Sequence, residues 1–130
     1  SGELALVFNH MSAAGALERR ASLYDEIDDG DDRKEPEATG GRTAFWGAPR
    51  APMTVAISAD GGKSWAWQRN LDEGDGYCMT NNSLEKLNRE FSYPSIKQCA
   101  DGTLHIAYTY FRQAIKYVRV SPEWVKESSQ

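Results

Sequence analysis

The side chains able to do chemistry are few in this chain, and their spacing sorts them. Two histidines, His10 and His105, and two cysteines, Cys78 and Cys99, are scattered over 130 residues. No HExxH or CxxC pattern joins them, so no zinc-type ligand set is expected. Two cysteines are too few for a disulfide scaffold. One bridge or two free thiols are the alternatives, with free thiols preferred. The densest charge lies between Asp25 and Glu37, where eight acidic and two basic residues give a local net of −6. Calcium loops place oxygen ligands at alternating positions around a glycine turn. Asp25, Asp28, Asp29, Asp31 and Asp32 around Gly30 do not keep that register, so a solvated acidic loop is expected, with no metal and no cofactor. The acidic run leaves +2 on the remainder of a chain whose net charge is −4. A nucleic-acid partner, which needs a basic stripe to displace counterions, is therefore not expected.

These residues need elements to position them. Hydrophobic residues make up 40% and charged residues 26%, as in a soluble globular domain, and four Trp, six Tyr and four Phe supply a small core. No stretch approaches the roughly 20 apolar residues of a membrane helix, and no basic, then apolar leader is visible. The compartment stays open. Leu4–Phe8 reads as a short strand. Residues 11–49 are a long excursion with a helical turn around Ala14–Leu23. So long a connection marks a functional loop or local disorder. Met53, Val55 and Ile57 then alternate with Thr54, Ala56 and Ser58 as a strand with one face buried. A turn at Ala59–Ser64 leads into a second strand, Trp65–Leu71. Its Asp60-Gly61-Gly62 supplies the positive φ that a tight reversal needs. Residues 72–90 are a polar connection holding Asn81, Asn82 and Asn88. Tyr93–Gln98, Leu104–Tyr110 and Ala114–Val120 are three further strands, with Ile115, Tyr117 and Arg119 on one face of the last. Ser121 caps a final helical turn with Pro122 at its first position, so that Trp124 and Val125 pin the tail to the sheet. The chain reads as an all-β antiparallel meander of about six strands.

Ser58-Ala59-Asp60-Gly61-Gly62-Lys63-Ser64-Trp65 matches the Asp-box, S-x-D-x-G-x-[ST]-W. Arg50-Ala51-Pro52-Met53-Thr54-Val55 precedes it. Phe91-Ser92-Tyr93-Pro94-Ser95-Ile96, Asp101-Gly102-Thr103-Leu104-His105, Tyr108-Thr109-Tyr110 and Ile115-Lys116-Tyr117-Val118 follow. This order closely resembles the C-terminal part of the bacterial sialidase-like (BNR-repeat, neuraminidase-like) six-bladed β-propellers, over about residues 4–125. The resemblance implies about two incomplete antiparallel blades with a long acidic loop. The first spans about 3–71, including the loop 11–49, and lacks its innermost strand. The second spans about 91–125 and lacks its outermost. In the box itself, Ser58, Asp60, Gly62, Ser64 and Trp65 are implied to be structural. The carboxylate accepts backbone N–H bonds within the turn, and the Trp packs between sheets.

In the sialidases that the chain resembles, three arginines hold the substrate carboxylate, a Tyr paired with a Glu is the nucleophile, and an Asp is the acid/base. Motif to motif, Arg50 falls at the third arginine and Tyr93 at the nucleophile. Pro94 stands where sialidases usually have a Ser. The earlier blades, with the partner Glu, the Asp and two arginines, have no counterpart here. The chain alone is therefore expected to be inactive, its parent an exo-glycosidase acting on sialic-acid-like sugars. A glycan-binding or protein-interaction module is the alternative. Chemically, Arg meets a carboxylate with a planar fork of donors, and Tyr needs a neighbouring base because its free pKa is about 10. Arg112 is a candidate to reach the cleft from its turn, and Asn81 and Asn82 to bind sugar hydroxyls; a solvated turn and turn caps are the alternatives. His10 and Arg42 border the excursion. Glu90 is expected at the surface. Incomplete blades leave open strand edges, so self-association or pairing with the missing blades is expected.

Overall fold

A computed structural model describes residues 2–11, 48–78 and 83–127. The excursion, Asn81 and Asn82 lie outside them, apart from the excursion's ends. The described chain forms six strands: β1 Leu4–Asn9, β2 Met53–Ser58, β3 Trp67–Asp72, β4 Phe91–Gln98, β5 Leu104–Tyr110 and β6 Ala114–Val120. A 3-10 turn, Ser83–Glu85, precedes β4, and one helix, α1 Pro122–Glu127, ends the described chain. The strands make two three-stranded antiparallel sheets, ordered β1-β2-β3 and β4-β5-β6. The fold is all-β, as incomplete blades of a β-propeller are. Among the described residues no helix is long and apolar enough to cross a membrane.

The alternation of side chains explains the packing. Val7 pairs across from Val55, and Ala5 from Ile57, on one face of the first sheet. Ile96, Ile106 and Val118 stand in register on one face of the second. These faces meet, and the buried cluster includes Val7, Met53, Val55, Ile57, Phe91, Leu104, Ile106, Tyr108 and Val125. Residues of opposite phase (Lys97, His105 and Arg119 in one row, Ala107 and Tyr117 in the next) cover the other face of the second sheet. α1 starts where its sequence predicts, with the Trp124 N–H donating to Ser121 Oγ at 3.1 Å. Its Trp124 ring lies over the Arg69 guanidinium at 3.8 Å, and its carbonyl accepts from Arg69 Nη1 at 2.8 Å. A second clasp joins the sheets at β3. Asp72 accepts from the Tyr108 hydroxyl and from Lys116 Nζ, the latter at 2.7 Å. Burial and that hydrogen bond both push the Tyr108 phenol upward, so it stays protonated.

The Asp-box hairpin is built by hydrogen bonds rather than by burial. Asp60 Oδ1 accepts from Ser58 Oγ and from the Ser64 N–H, each at 2.8 Å, and Oδ2 accepts from Ser64 Oγ at 2.5 Å. Ser58 Oγ in turn accepts from the Gly62 N–H at 2.9 Å. Gly61 and Gly62 have φ of 76° and 90°, which L side chains rarely adopt. The Ser64 bonds, then Ser58, hold the Asp60 carboxyl at about 2, below its ordinary 3.8. The turn therefore keeps its acceptor while pH falls through the usual carboxylate range. Two details depart from the sequence reading. The strand after the hairpin begins at Trp67, not Trp65. Trp67 packs against the core, whereas Trp65 is half-buried beside Gly62.

Candidate functional site

The hairpin and the candidate site lie at opposite ends of the strands. At the hairpin end, a cleft of about 220 Å³ is lined by Glu3, Leu4, Ala5, Ile57, Ile96, Gln98, Leu104 and Pro122. At the other end, three segments converge: the approach to β2, the start of β4, and the β5–β6 turn. The chain before β2 is held on both sides. The Arg50 N–H donates to the Gly76 carbonyl at 2.8 Å, and the Arg50 carbonyl accepts from the Phe91 N–H at 3.0 Å. The segment carrying Gly76 is tied in turn by Arg89, whose Nε meets both Asp75 oxygens at 2.9 Å. That bond holds the Asp75 carboxyl below its ordinary value.

Tyr93 projects from β4 because the strand bulges under it. Pairing with β5 holds at Ser92 and resumes at Ser95, leaving Tyr93 and Pro94 opposite a single residue. Proline suits this position, since no ladder donor is needed there. Tyr93 itself has φ of 52°, a left-handed conformation that costs an L-residue roughly 1 kcal/mol. Its side chain is 77% exposed, and the Arg50 Cζ lies 5.6 Å from its ring centroid. Below it the strand is pinned to β5, with Ser92 Oγ and Thr109 Oγ1 2.5 Å apart. Phe91 points the other way into an aromatic cluster, its ring 6.1 Å from Tyr108 edge-on and 5.5 Å from Phe111.

Arg112 sits in a turn that Gln113 N–H closes on the Tyr110 carbonyl at 3.0 Å. Both central residues, Phe111 and Arg112, have positive φ, at 55° and 54°. The turn meets the start of β4 directly, because the Phe111 N–H donates to the Glu90 carbonyl at 3.0 Å. The Arg112 Nε donates to Glu90 Oε1 at 2.5 Å. Burial pulls the guanidinium down, but the bond and charge of Glu90 outweigh it and the net shift is upward. The surface position expected for Glu90 is wrong: its side chain is 3% exposed. An acid immediately before a buried strand, facing an Arg in the adjoining turn, is a complementary pair once the hairpin register is drawn.

The structure thus brings Arg50 beside Tyr93, and Arg112 to the turn next to the start of β4. Cys99 is a free thiol. Among the described residues no group of three His, Cys, Asp or Glu gathers as a metal site requires. Chemically, the site offers an exposed phenol and a cation at one open end of paired antiparallel sheets.

Those sheets, the hairpin and the order of motifs define a propeller-type repeat. The chain matches the BNR repeat-like domain over residues 1–106 of its 130, and it belongs to that family. No curated protein and no solved structure matches it.

Proposed function

We propose that the chain is a segment of a sialidase-like six-bladed propeller, the C-terminal part, whose parent protein is an exo-glycosidase acting on sialic-acid-like sugars. In this reading the partial blades span about 3–71 and 91–125. Arg50 holds the sugar carboxylate and Tyr93 is the nucleophile, with Arg112, Asn81 and Asn82 contributing to substrate binding. The carrying observation is Tyr93 itself, turned out of its strand in a left-handed conformation and exposed beside the Arg50 guanidinium. A residue held in so sparse a conformation is a mark of function.

A second reading, a glycan-binding module without turnover, is favoured for the chain on its own by the state of Glu90. That carboxylate is buried and committed to Arg112, so it does not serve as the base an exposed phenol needs. The experiment is titration of the chain with free sialic acid, followed by a fluorogenic sialoside. Saturable binding without fluorophore release is expected. Arg50→Ala should weaken binding about tenfold or more, the worth of a charge-assisted bond. Absence of binding in the parent chain refutes the assignment of Arg50.

The open edges carry the proposal on partners: self-association, or pairing with the missing blades. The first sheet ends at β1 and the second at β6. Leu4, Leu6, Ile115 and Tyr117 on those strands are all exposed. Light scattering at micromolar concentration should give a mass above the 14.5 kDa of one chain. A clean monomer refutes self-association.

A further inference from the structure

On the face of the second sheet away from the core, at the hairpin end and apart from Tyr93, four side chains form a hydrogen-bonded line. Asp101 Oδ1 and Thr103 Oγ1 are 2.6 Å apart, Thr103 Oγ1 and His105 Nε2 2.9 Å, and His105 Nδ1 and the Tyr117 hydroxyl 2.5 Å. The donor inventory gives this line a direction. A threonine hydroxyl has one proton, and here it goes to the carboxylate. Thr103 Oγ1 can then only accept from His105, which fixes the proton of the neutral imidazole on Nε2. Nδ1 is left as a lone pair, and the Tyr117 O–H donates into it. The Thr103 bonds, with the charge of Arg119, hold the Asp101 carboxyl below its ordinary value, so the line ends in an anion near neutral pH.

The arrangement is that of an activated nucleophile: a hydroxyl, a base within reach, and a group that sets the tautomer of the base. It is also accessible, since Tyr117 is 59% exposed. The ionisable groups around His105 are Lys97 and Arg119, its register partners on either side, and Asp101, which Arg119 meets at 3.3 Å. Ala107 lies in register with Tyr117.

We propose that Tyr117 is a base-assisted nucleophile that accepts an acyl group from activated esters such as aryl esters, with His105 as its base. Tyr117 Oη attacks the acyl carbon while its proton passes to Nδ1. The imidazolium keeps its Nε2–H on Thr103, and its charge is offset by Asp101. The tetrahedral adduct collapses with cleavage of the bond between the acyl carbon and the aryl oxygen, and the departing aryl oxide takes the proton from Nδ1. The products are O-acyl-tyrosine and a free phenol, with no oxidant or reductant involved.

Tyr93 is the internal control, because it is more exposed than Tyr117, 77% against 59%. Accessibility alone therefore predicts that Tyr93 reacts faster. The full chain is treated with p-nitrophenyl acetate near neutral pH, and acetyl-tyrosine is mapped by peptide mass spectrometry. Tyr117 should be acetylated at least about tenfold faster than Tyr93, the low end of what general bases supply. His105→Gln should bring Tyr117 down to the Tyr93 rate. Thr103→Val, which frees the tautomer, should lower it several-fold and serves where His105→Gln does not fold. Three outcomes overturn the proposal: Tyr117 no faster than Tyr93, a Tyr117 rate untouched by both substitutions, or undiminished p-nitrophenol release from Tyr117→Phe.

Discussion

Gly76→Ala should be the most damaging small substitution in the described chain. A Cβ at this position would lie 2.5 Å from the backbone nitrogen of Ala51 and from the nitrogen and carbonyl carbon of Arg50. Those atoms are main chain, so no rotamer change relieves the clash, and Gly76 also has φ of 70°. Overpacking and a strained backbone each cost roughly 1–3 kcal/mol, and a combined loss of about 3 kcal/mol is expected. For a domain of this size that is a fall in melting temperature of roughly 10 °C. The comparison is Gly61→Ala, where φ is 76° but nothing lies within 4 Å of the added carbon. That change should cost only the backbone strain, about 1 kcal/mol. Thermal unfolding of the two variants separates the terms. Equal losses would mean that the contact between Gly76 and Arg50 is not tight in solution. Because the clash falls on the backbone of Arg50, Gly76→Ala should also weaken any anion bound there, even where the fold survives.

Glu90→Ala should come close behind, for an electrostatic reason. Its carboxylate is 3% exposed and its partner Arg112 26%, so neither charge is well hydrated. Breaking a buried pair by removing one member costs about 3–5 kcal/mol; the partial exposure of Arg112 places the expectation at the lower figure. Glu90→Gln keeps an acceptor for Arg112 Nε while removing the charge, and should lose less. Urea midpoints of the two variants measure the difference. Hydrogen exchange at the Phe111 and Gln113 amides should rise in Glu90→Ala, because the turn that they close is anchored through Glu90. A destabilisation below about 1 kcal/mol would show the pair to be no better than a surface ion pair.

Much of the fold was legible because its strands alternate cleanly. Leu104, Ile106 and Tyr108 announce one buried face and are buried, as are Met53, Val55 and Ile57, but β2 departs from the expected single buried face, since Thr54, Ala56 and Ser58 are buried too. The Asp-box resemblance implied that Asp60 accepts backbone N–H bonds in the turn, as it does from Ser64, but not the Ser58 and Ser64 hydroxyl bonds that complete it. The register was less legible. Trp65 and Trp67 both suit a strand, and only the width of the hairpin decides which of them faces the core. Resemblance singled out Arg50 and Tyr93, which the fold places side by side, but the bulge that turns Tyr93 outward has no clear local code. Pro94 permits it without requiring it. Glu90 was missed because a single acid in a polar connection has no periodicity, and its burial depends on a partner 22 residues away. The line from Asp101 to Tyr117 was missed for the same reason: the two aromatic rings meet across strands, off register, at 5.8 Å.

The β5–β6 turn places two bulky residues where asparagine and glycine sit at ease. Phe111 stacks on Tyr110 at 4.0 Å, and Arg112 answers a carboxylate, so each side chain recovers through contact what its backbone gives up. A plainer Asn-Gly corner would fold with less local tension and would leave the neighbouring acid stranded. The hairpin is thus specified from outside itself: its shape is stable only in the presence of the strand that begins beside it. Cut free as a peptide, 104–120 should not keep this corner.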